Sequence, residues 1–192
     1  RHPAFGQTPA TWGRPSGSTA SNPLDASEPV RTRNSSYLNV RLWNNDHVFF
    51  WGERSTSNGV HAVLQGDESR IVIGDDCMFA NDIFIRNSDM HAVVDMRSGE
   101  WLNAGGNVHF EPHVWVAQEA LILKNTMLGF GAIVGAKSIV NREVPRYAMV
   151  AGAPAKVVRR DVSWDREMRP GTDTVAKLRE YECRVGQAPT PL

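Results

Sequence analysis

The residue best suited to move a proton near neutral pH is His91, in the run NSDMHAVVD. Imidazole titrates close to pH 7, so it can take a proton from a hydroxyl and give it up again. Asp95, four residues on, is placed to hold the other ring nitrogen, fixing the tautomer and steadying the imidazolium. Asp89 competes for that role. A second chemistry uses the same histidine: His91 and His109 are eighteen residues apart, and with His113 they are a candidate zinc-ligand trio, since three histidines and an open position make a catalytic zinc site. Against it, His109 and His113 are four residues apart, and a long irregular segment separates them from His91. Two cysteines, Cys77 and Cys183, are too few for a four-cysteine site or a disulfide framework. GFGAIVG has the spacing GxGxxxG and no following β-α pattern, so it is no dinucleotide fingerprint. No G-x-S-x-G elbow supports a covalent serine route.

The composition bounds what such a histidine serves. The 192 residues carry 21 basic and 21 acidic side chains, and this balance does not suit a nucleic-acid binder, which needs a basic surplus. No apolar run approaches the ~18 residues that span a bilayer, so no membrane insertion is expected. The chain begins at Arg1 without a signal-peptide pattern, from which we expect a processed or trimmed form of a cytoplasmic protein. Residues 1–36 are half Pro, Gly, Ser and Thr and show no period, so they read as an extended or disordered arm. From Leu38 onward short apolar runs such as LNVRLW, HVFFW and RIVIG alternate with polar turns, the signature of strands.

A period of six then takes over. Positions 110, 116, 122, 128, 134 and 140 are Phe, Val, Ile, Leu, Val and Val. A second column, at 114, 120, 126, 132, 138 and 144, holds only small or β-branched residues. The same columns run earlier through Ile73, Phe79 and Ile85, with Cys77 and Ile83 beside them. Six is neither the helical period nor plain strand alternation; it reports a repeat. The reading is a coil with flat faces about six residues long, each hexad burying one large and one small residue, and stacked coils sharing backbone hydrogen bonds. Cys77 is then a buried filler rather than a nucleophile, and Gly129 and Gly135 relieve turns. The register lapses twice: across residues 87–107, whose length suggests a functional loop, and across 142–149, where REVPRYAM reads as an insertion that delays the next coil. After Asp161, Val175, Leu178 and Val185 fall at helical spacing behind Thr172 or Asp173 as N-cap, predicting a C-terminal helix near the end of the prism. The expected organisation is an arm over 1–36, a prism over 37–161 and a helical tail over 162–192.

The runs VWVAQEALILKNTMLGFGAIVGAKSIV and MVAGAPAKVV resemble the hexapeptide-repeat acyltransferases over about residues 60–165. The resemblance implies an all-β, left-handed parallel β-helix, a handedness opposite to the usual crossover rule. Within that family, SDMH…VVD is similar to the motif of enzymes that O-acetylate polysaccharides and sialic acids, in which this histidine is the catalytic base. The implied activity is acetyl transfer from acetyl-CoA to a sugar hydroxyl by direct attack, with no metal expected. The resemblance places Trp115, at a corner of the prism, beside the thioester, with Ala117, Ala136 and Asn141 along the pantetheine groove. Arg142 and Arg159 match basic positions at the nucleotide end, and with Lys156 and Arg160 they form the cluster its phosphates need. Glu111 and Ala117 depart from the pattern, standing where glycine is usual. Asp82, Arg86 and Asp89 are the candidate acceptor contacts, the acceptor being a glycan or other hydroxyl compound. A homotrimer is implied, the loop of one chain meeting the donor groove of its neighbour. A zinc enzyme of the γ-carbonic-anhydrase kind and a non-catalytic trimeric scaffold are the alternatives.

Overall fold

The computed structural model describes residues 36–186 apart from Asn45 and Asp67; the expected arm over residues 1–36 lies outside it save for Ser36. Along the chain come β1 (Ser36–Trp43), β2 (Val48–Trp51), β3 (Thr56–Gln65), β4 (Arg70–Ile73), β5 (Met78–Phe79), β6 (Ile83–Arg86), β7 (Val108–Phe110), β8 (Trp115–Val116), β9 (Leu121–Ile122), β10 (Thr126–Leu128), β11 (Ile133–Val134), β12 (Ile139–Val140), β13 (Ala148–Ala151), β14 (Lys156–Arg160) and a helix, α1 (Thr174–Val185). They stack as three parallel strips. The first is β2-β4-β7-β10; the second joins β3, β5, β8, β11 and β13; the third joins β3, β6, β9 and β12, β3 being long enough to turn the corner. In the regular coils partners lie eighteen residues apart, as Val116 with Val134 and Ile122 with Val140. This is the solenoid the hexads predict.

The two inward columns account for the core. Ile73, Phe79, Ile85, Phe110, Val116, Ile122, Leu128, Val134 and Val140 are each at most 1% exposed. Cys77, Ile83, Val114, Ala120, Thr126, Ala132 and Ser138 fill the second column, each at most 2% exposed. At roughly 1.5–3 kcal/mol for each fully buried large apolar side chain, this column is the main stabilising term. Burial pushes the Cys77 thiol up to about 12, which suits a filler.

Three expectations need correction. The segment 142–149 shortens its coil instead of delaying it. Val144 bridges to Leu128 and Val150 pairs with Val134, offsets of sixteen rather than eighteen. The loss falls just after Val140, so Val144 moves from the small column into the large one and the later strands regain register. Gly129 does not serve a left-handed turn either: a Cβ there would lie 2.5 Å from the Arg146 nitrogen, so glycine permits close approach of the next coil. Thirdly, the helix does not pack near one end of the prism. It lies along the first corner, from Arg54, whose guanidinium sits 5.6 Å over the Tyr181 ring, to Arg146, which pairs with Glu182 at 2.9 Å. None of its residues is buried, Val175 is exposed, and Asp173 pairs with Lys177 instead of capping the first turn.

That corner is a column in its own right. Arg54, Asp76, His113, Gly131 and Tyr147 stack there, all left-handed with φ between +53° and +68°. The chain after β14 descends it in order. Val162 N–H donates to Tyr147 O, Ser163 Oγ to Gly131 O, and Trp164 Nε1 to His113 O, while Arg166 reaches Asp76 Oδ1 at 2.9 Å. A Cβ at Gly131 would sit 2.8 Å from Ser163 Oγ, so the glycine makes room for this strap.

Candidate active site

The loop at 87–107 leaves between β6 and β7, at the corner joining the third strip to the first. Its neck is closed by Asn87, fully buried, whose amide exchanges hydrogen bonds with the Gln65 backbone at 2.8 and 3.0 Å in place of a strand partner. Gly106 follows because a Cβ there would overlap the Asn125 side chain. Beyond the neck the loop doubles back, Val94 bridging Trp101 in antiparallel fashion around a turn at 95–99.

His91 is exposed at the base of this loop, and its carbonyl oxygen accepts 2.8 Å from Asn103 Nδ2. The ring is not oriented as expected. Asp95 accepts from the backbone N–H groups of Arg97 and Ser98, both at 2.8 Å, so its carboxylate caps the turn, and the Ser98 bond, then that of Arg97, holds its pKa down. Asp89 is also engaged: Lys124 Nζ at 2.6 Å and Asn103 Nδ2 at 2.9 Å, in that order, hold its pKa low. Neither carboxylate is bonded to the imidazole. The carboxylates were legible as loop residues, but a turn and a lysine thirty-five positions away compete for them.

The other expected residues are spread over the prism. Arg86, at the loop's root, donates to Met90 Sδ, whereas Asp82 lies a strand's length away at the second corner, in the left-handed region. Trp115 is not at a corner. It stands mid-strip in β8, half-buried, between Met78 and Ile133 and 6.3 Å from the Trp164 ring. Since the loop leaves from another edge of the prism, one chain does not bring His91 and Trp115 onto the same strip. Ala117 follows β8 and hydrogen-bonds Val134 O; Ala136 and Asn141 are exposed on later coils. Arg142 and Lys156 share a cavity of about 210 Å³, while Arg159 lies along β14 opposite Met149. Among the described residues these three cations form no ion pair. β14 runs antiparallel on β13 and is exposed throughout, a setting in which basic side chains also guard a sheet edge.

The zinc trio comes apart for a physical reason. Counting eighteen from His91 to His109 does not stack them, because His91 is in the loop while His109 pairs with Val72 and Met127 in the first strip. His113 is buried at the first corner, its ring against Asp76 Oδ2 at 2.8 Å and Trp164 O at 3.1 Å, and stacked on Trp164 at 4.3 Å. Burial alone would raise Asp76; the hydrogen bonds from His113 and Arg166 overcome that and hold it low. Among the described residues no three His, Cys, Asp or Glu side chains converge as metal ligands.

The sequence reading did not single out Asn103 or Lys124, which fix the loop, nor the role of Glu111. The last accepts from Phe130 N–H and takes both Arg146 Nε and Nη2, so a carboxylate ties three successive coils where glycine is usual. Nothing marks Asn103 in the sequence except its place in the Gly- and Asn-rich loop end NAGGN.

Known proteins share this fold. No protein-family model matches the chain. A polysialic acid O-acetyltransferase of Escherichia coli O1:K1 / APEC is 34% identical over 113 residues, covering 59% of this chain and 37% of that one. A Neisseria meningitidis enzyme of the same name is 31% identical over 121 residues, covering 62% and 56%. The crystal structure of the polysialic-acid-specific acetyltransferase NeuO superposes with a TM-score of 0.67 and 27% identity, over 77% of this chain and 74% of that one. The chain shares the left-handed β-helix fold of these acetyltransferases. This hexapeptide-repeat chain matches only about a third to a half of the length of those two curated relatives. Among its described residues no helix is long and apolar enough to cross a membrane.

Proposed function

We propose that this hexapeptide-repeat chain transfers acetyl from acetyl-CoA to a hydroxyl of a sugar in a polysaccharide, with sialic acid polymers the first acceptors to test. The observation that carries the reading is an exposed histidine, His91, on a backbone-pinned loop ejected from an otherwise regular prism. The names of the relatives support the acetyl group and the acceptor class. In the reaction, His91 takes the proton from the acceptor hydroxyl as its oxygen attacks the thioester carbonyl. The tetrahedral intermediate then collapses, the C–S bond breaks, and the imidazolium returns the proton to the departing thiolate, leaving acetyl ester and free coenzyme A.

The donor runs beside Trp115, Ala117, Ala136 and Asn141, with Arg142, Lys156 and Arg159 at its phosphates; Arg86 and Asp89 contact the acceptor, with Asp82 at the second corner just before β6. Because His91 and Trp115 occupy different sides of one chain, the complete site is assigned to the contact between copies in a homotrimer, in the cytoplasm where this donor is available. Thiol release from acetyl-CoA in the presence of oligosialic acid is the direct test. His91→Ala should lower turnover ~10²–10⁴-fold with the fold intact, and the solution mass should be three times that of the chain. Near-wild-type turnover in His91→Ala would remove the histidine from the mechanism. A stable, active monomer would remove the shared site.

A further inference from the structure

The amide of Asn103 is used to capacity. Its Oδ1 accepts from Val93 N–H at 2.6 Å and from the Trp101 indole Nε1–H at 2.9 Å. Its Nδ2 donates to His91 O at 2.8 Å and to Asp89 Oδ2 at 2.9 Å. Two partners are obligate donors and two are acceptors, so only one orientation of the amide satisfies all four. Lys124 Nζ anchors the hub from the prism, reaching the Asn103 carbonyl at 3.0 Å and Asp89 Oδ2 at 2.6 Å. One side chain, braced on the coil that follows, therefore fixes the backbone of His91 and the ring of Trp101 together.

Trp101 is 60% exposed although its one polar atom is already satisfied. An indole pinned at its N–H and bare on its ring offers a rigid apolar surface at little cost in conformational entropy. A sugar ring is its chemical complement: C–H groups cover one face, and hydroxyls project from the rim. Stacking on Trp101 leaves those hydroxyls free to reach toward a base held by the same amide. We infer that Trp101 is the platform on which the acceptor's sugar ring stacks, and that Asn103 is the positioning residue that sets this platform against His91. The inference rests on the reading of His91 as the base, and it adds the acceptor subsite. An aspartate could not replace Asn103, because it loses both donors and places a second carboxylate against Asp89.

The test separates binding from turnover. Oligosialic acid binding is measured without donor, by saturation-transfer NMR and quenching of tryptophan fluorescence, on wild type, Trp101→Phe and Trp101→Ala. Steady-state kinetics follow on the same proteins and on Asn103→Ala and Asn103→Asp. Trp101→Ala should raise the acceptor KM at least tenfold and abolish the saturation-transfer signal, with the acetyl-CoA KM unmoved. Trp101→Phe, which keeps a ring but not the N–H bond, should fall between. Asn103→Ala should lower kcat ten- to hundredfold at an unchanged acetyl-CoA KM, and Asn103→Asp should be worse. Wild-type binding that depends on Trp101 but yields no acetyl transfer would refute the acetyl-transfer reading and keep the platform. Acetyl transfer with an unchanged acceptor KM in Trp101→Ala, no glycan binding by wild type, or a Trp101→Ala defect confined to oligomer mass would each overturn the platform.

Discussion

The prism and the ejected loop are built on opposite principles, although they share one chain and one corner. In the prism, hexads bury apolar columns that are almost wholly inaccessible, and hydrogen bonds pass from coil to coil through the backbone. The loop from Asn87 to Asn107 exposes Val93, Val94, Met96, Trp101 and Leu102, and is held by a handful of side-chain bonds centred on Asn103. Losing a core side chain therefore lowers the stability of everything, whereas losing a loop bond disturbs chemistry and leaves the fold standing. Separating the two lets the loop carry exposed apolar groups and a solvent-facing histidine without weakening the scaffold that aims them.

The most direct way to break this contrast is from the core. Phe110→Ala empties a fully buried site in the large column and should cost about 3–5 kcal/mol, read from the shift in a denaturant midpoint, while His91→Ala should leave that midpoint in place. Equal destabilisation by the two would erase the distinction. A smaller effect should come from the far coils. On the proposed donor placement, Arg142→Ala and Arg159→Ala should each lose a charge-assisted contact worth roughly 1.5–3 kcal/mol, a ten- to hundredfold rise in KM for acetyl-CoA with kcat nearly constant. If both leave that KM unchanged, the nucleotide end of the donor lies elsewhere.

Asp76 sharpens the comparison through pH. Its native pKa lies below the ordinary 3.8, so its charged form stabilises the fold above that value, and the contribution fades as pH falls through the lower native value. Acid titration of the denaturant midpoint from about pH 5 to about pH 2 should show this limb in wild type and a shallower one in Asp76→Asn. An unchanged slope would mean that the first corner does not depend on the carboxylate. The smallest effect belongs to the second corner, where Lys137 and Glu119 meet at 3.3 Å in solvent. Glu119→Gln should move stability by about 0.2–1 kcal/mol at most, and less in high salt.

The prism was readable because its rule is local and repeated. Each hexad must present one large and one small residue inward, so Phe110, Val116 and Ile122 state the architecture in the sequence itself. The slip after Val140 was not readable, since Val144 suits either column and only the pairing with Leu128 decides between them. In the loop, length and lost register set the segment apart and His91 stood out as its imidazole, but the partners did not follow. Asp95 is near His91 in sequence yet finds closer backbone donors within its own turn. Asn103, twelve residues from His91, bonds to it only because the loop doubles back at Val94 and Trp101. Trp115 stands beside the inward Val116 within β8, so it faces outward from the middle of a strip and not from a corner.

The strap over the first corner changes how this molecule should come apart. A solenoid is quasi-one-dimensional: each coil senses only the coils on either side, so an end can fray while the middle persists. Here Val162, Ser163, Trp164 and Arg166 clip in succession onto Tyr147, Gly131, His113 and Asp76, rungs of four successive coils. Such a fastening runs across the stack and couples coils that are not neighbours. Fraying of the last coil must first release the strap, and release of the strap uncovers His113 on a coil two levels away. Melting that would otherwise creep inward from one end becomes a concerted event, with Trp164 reporting its onset from inside the fastening.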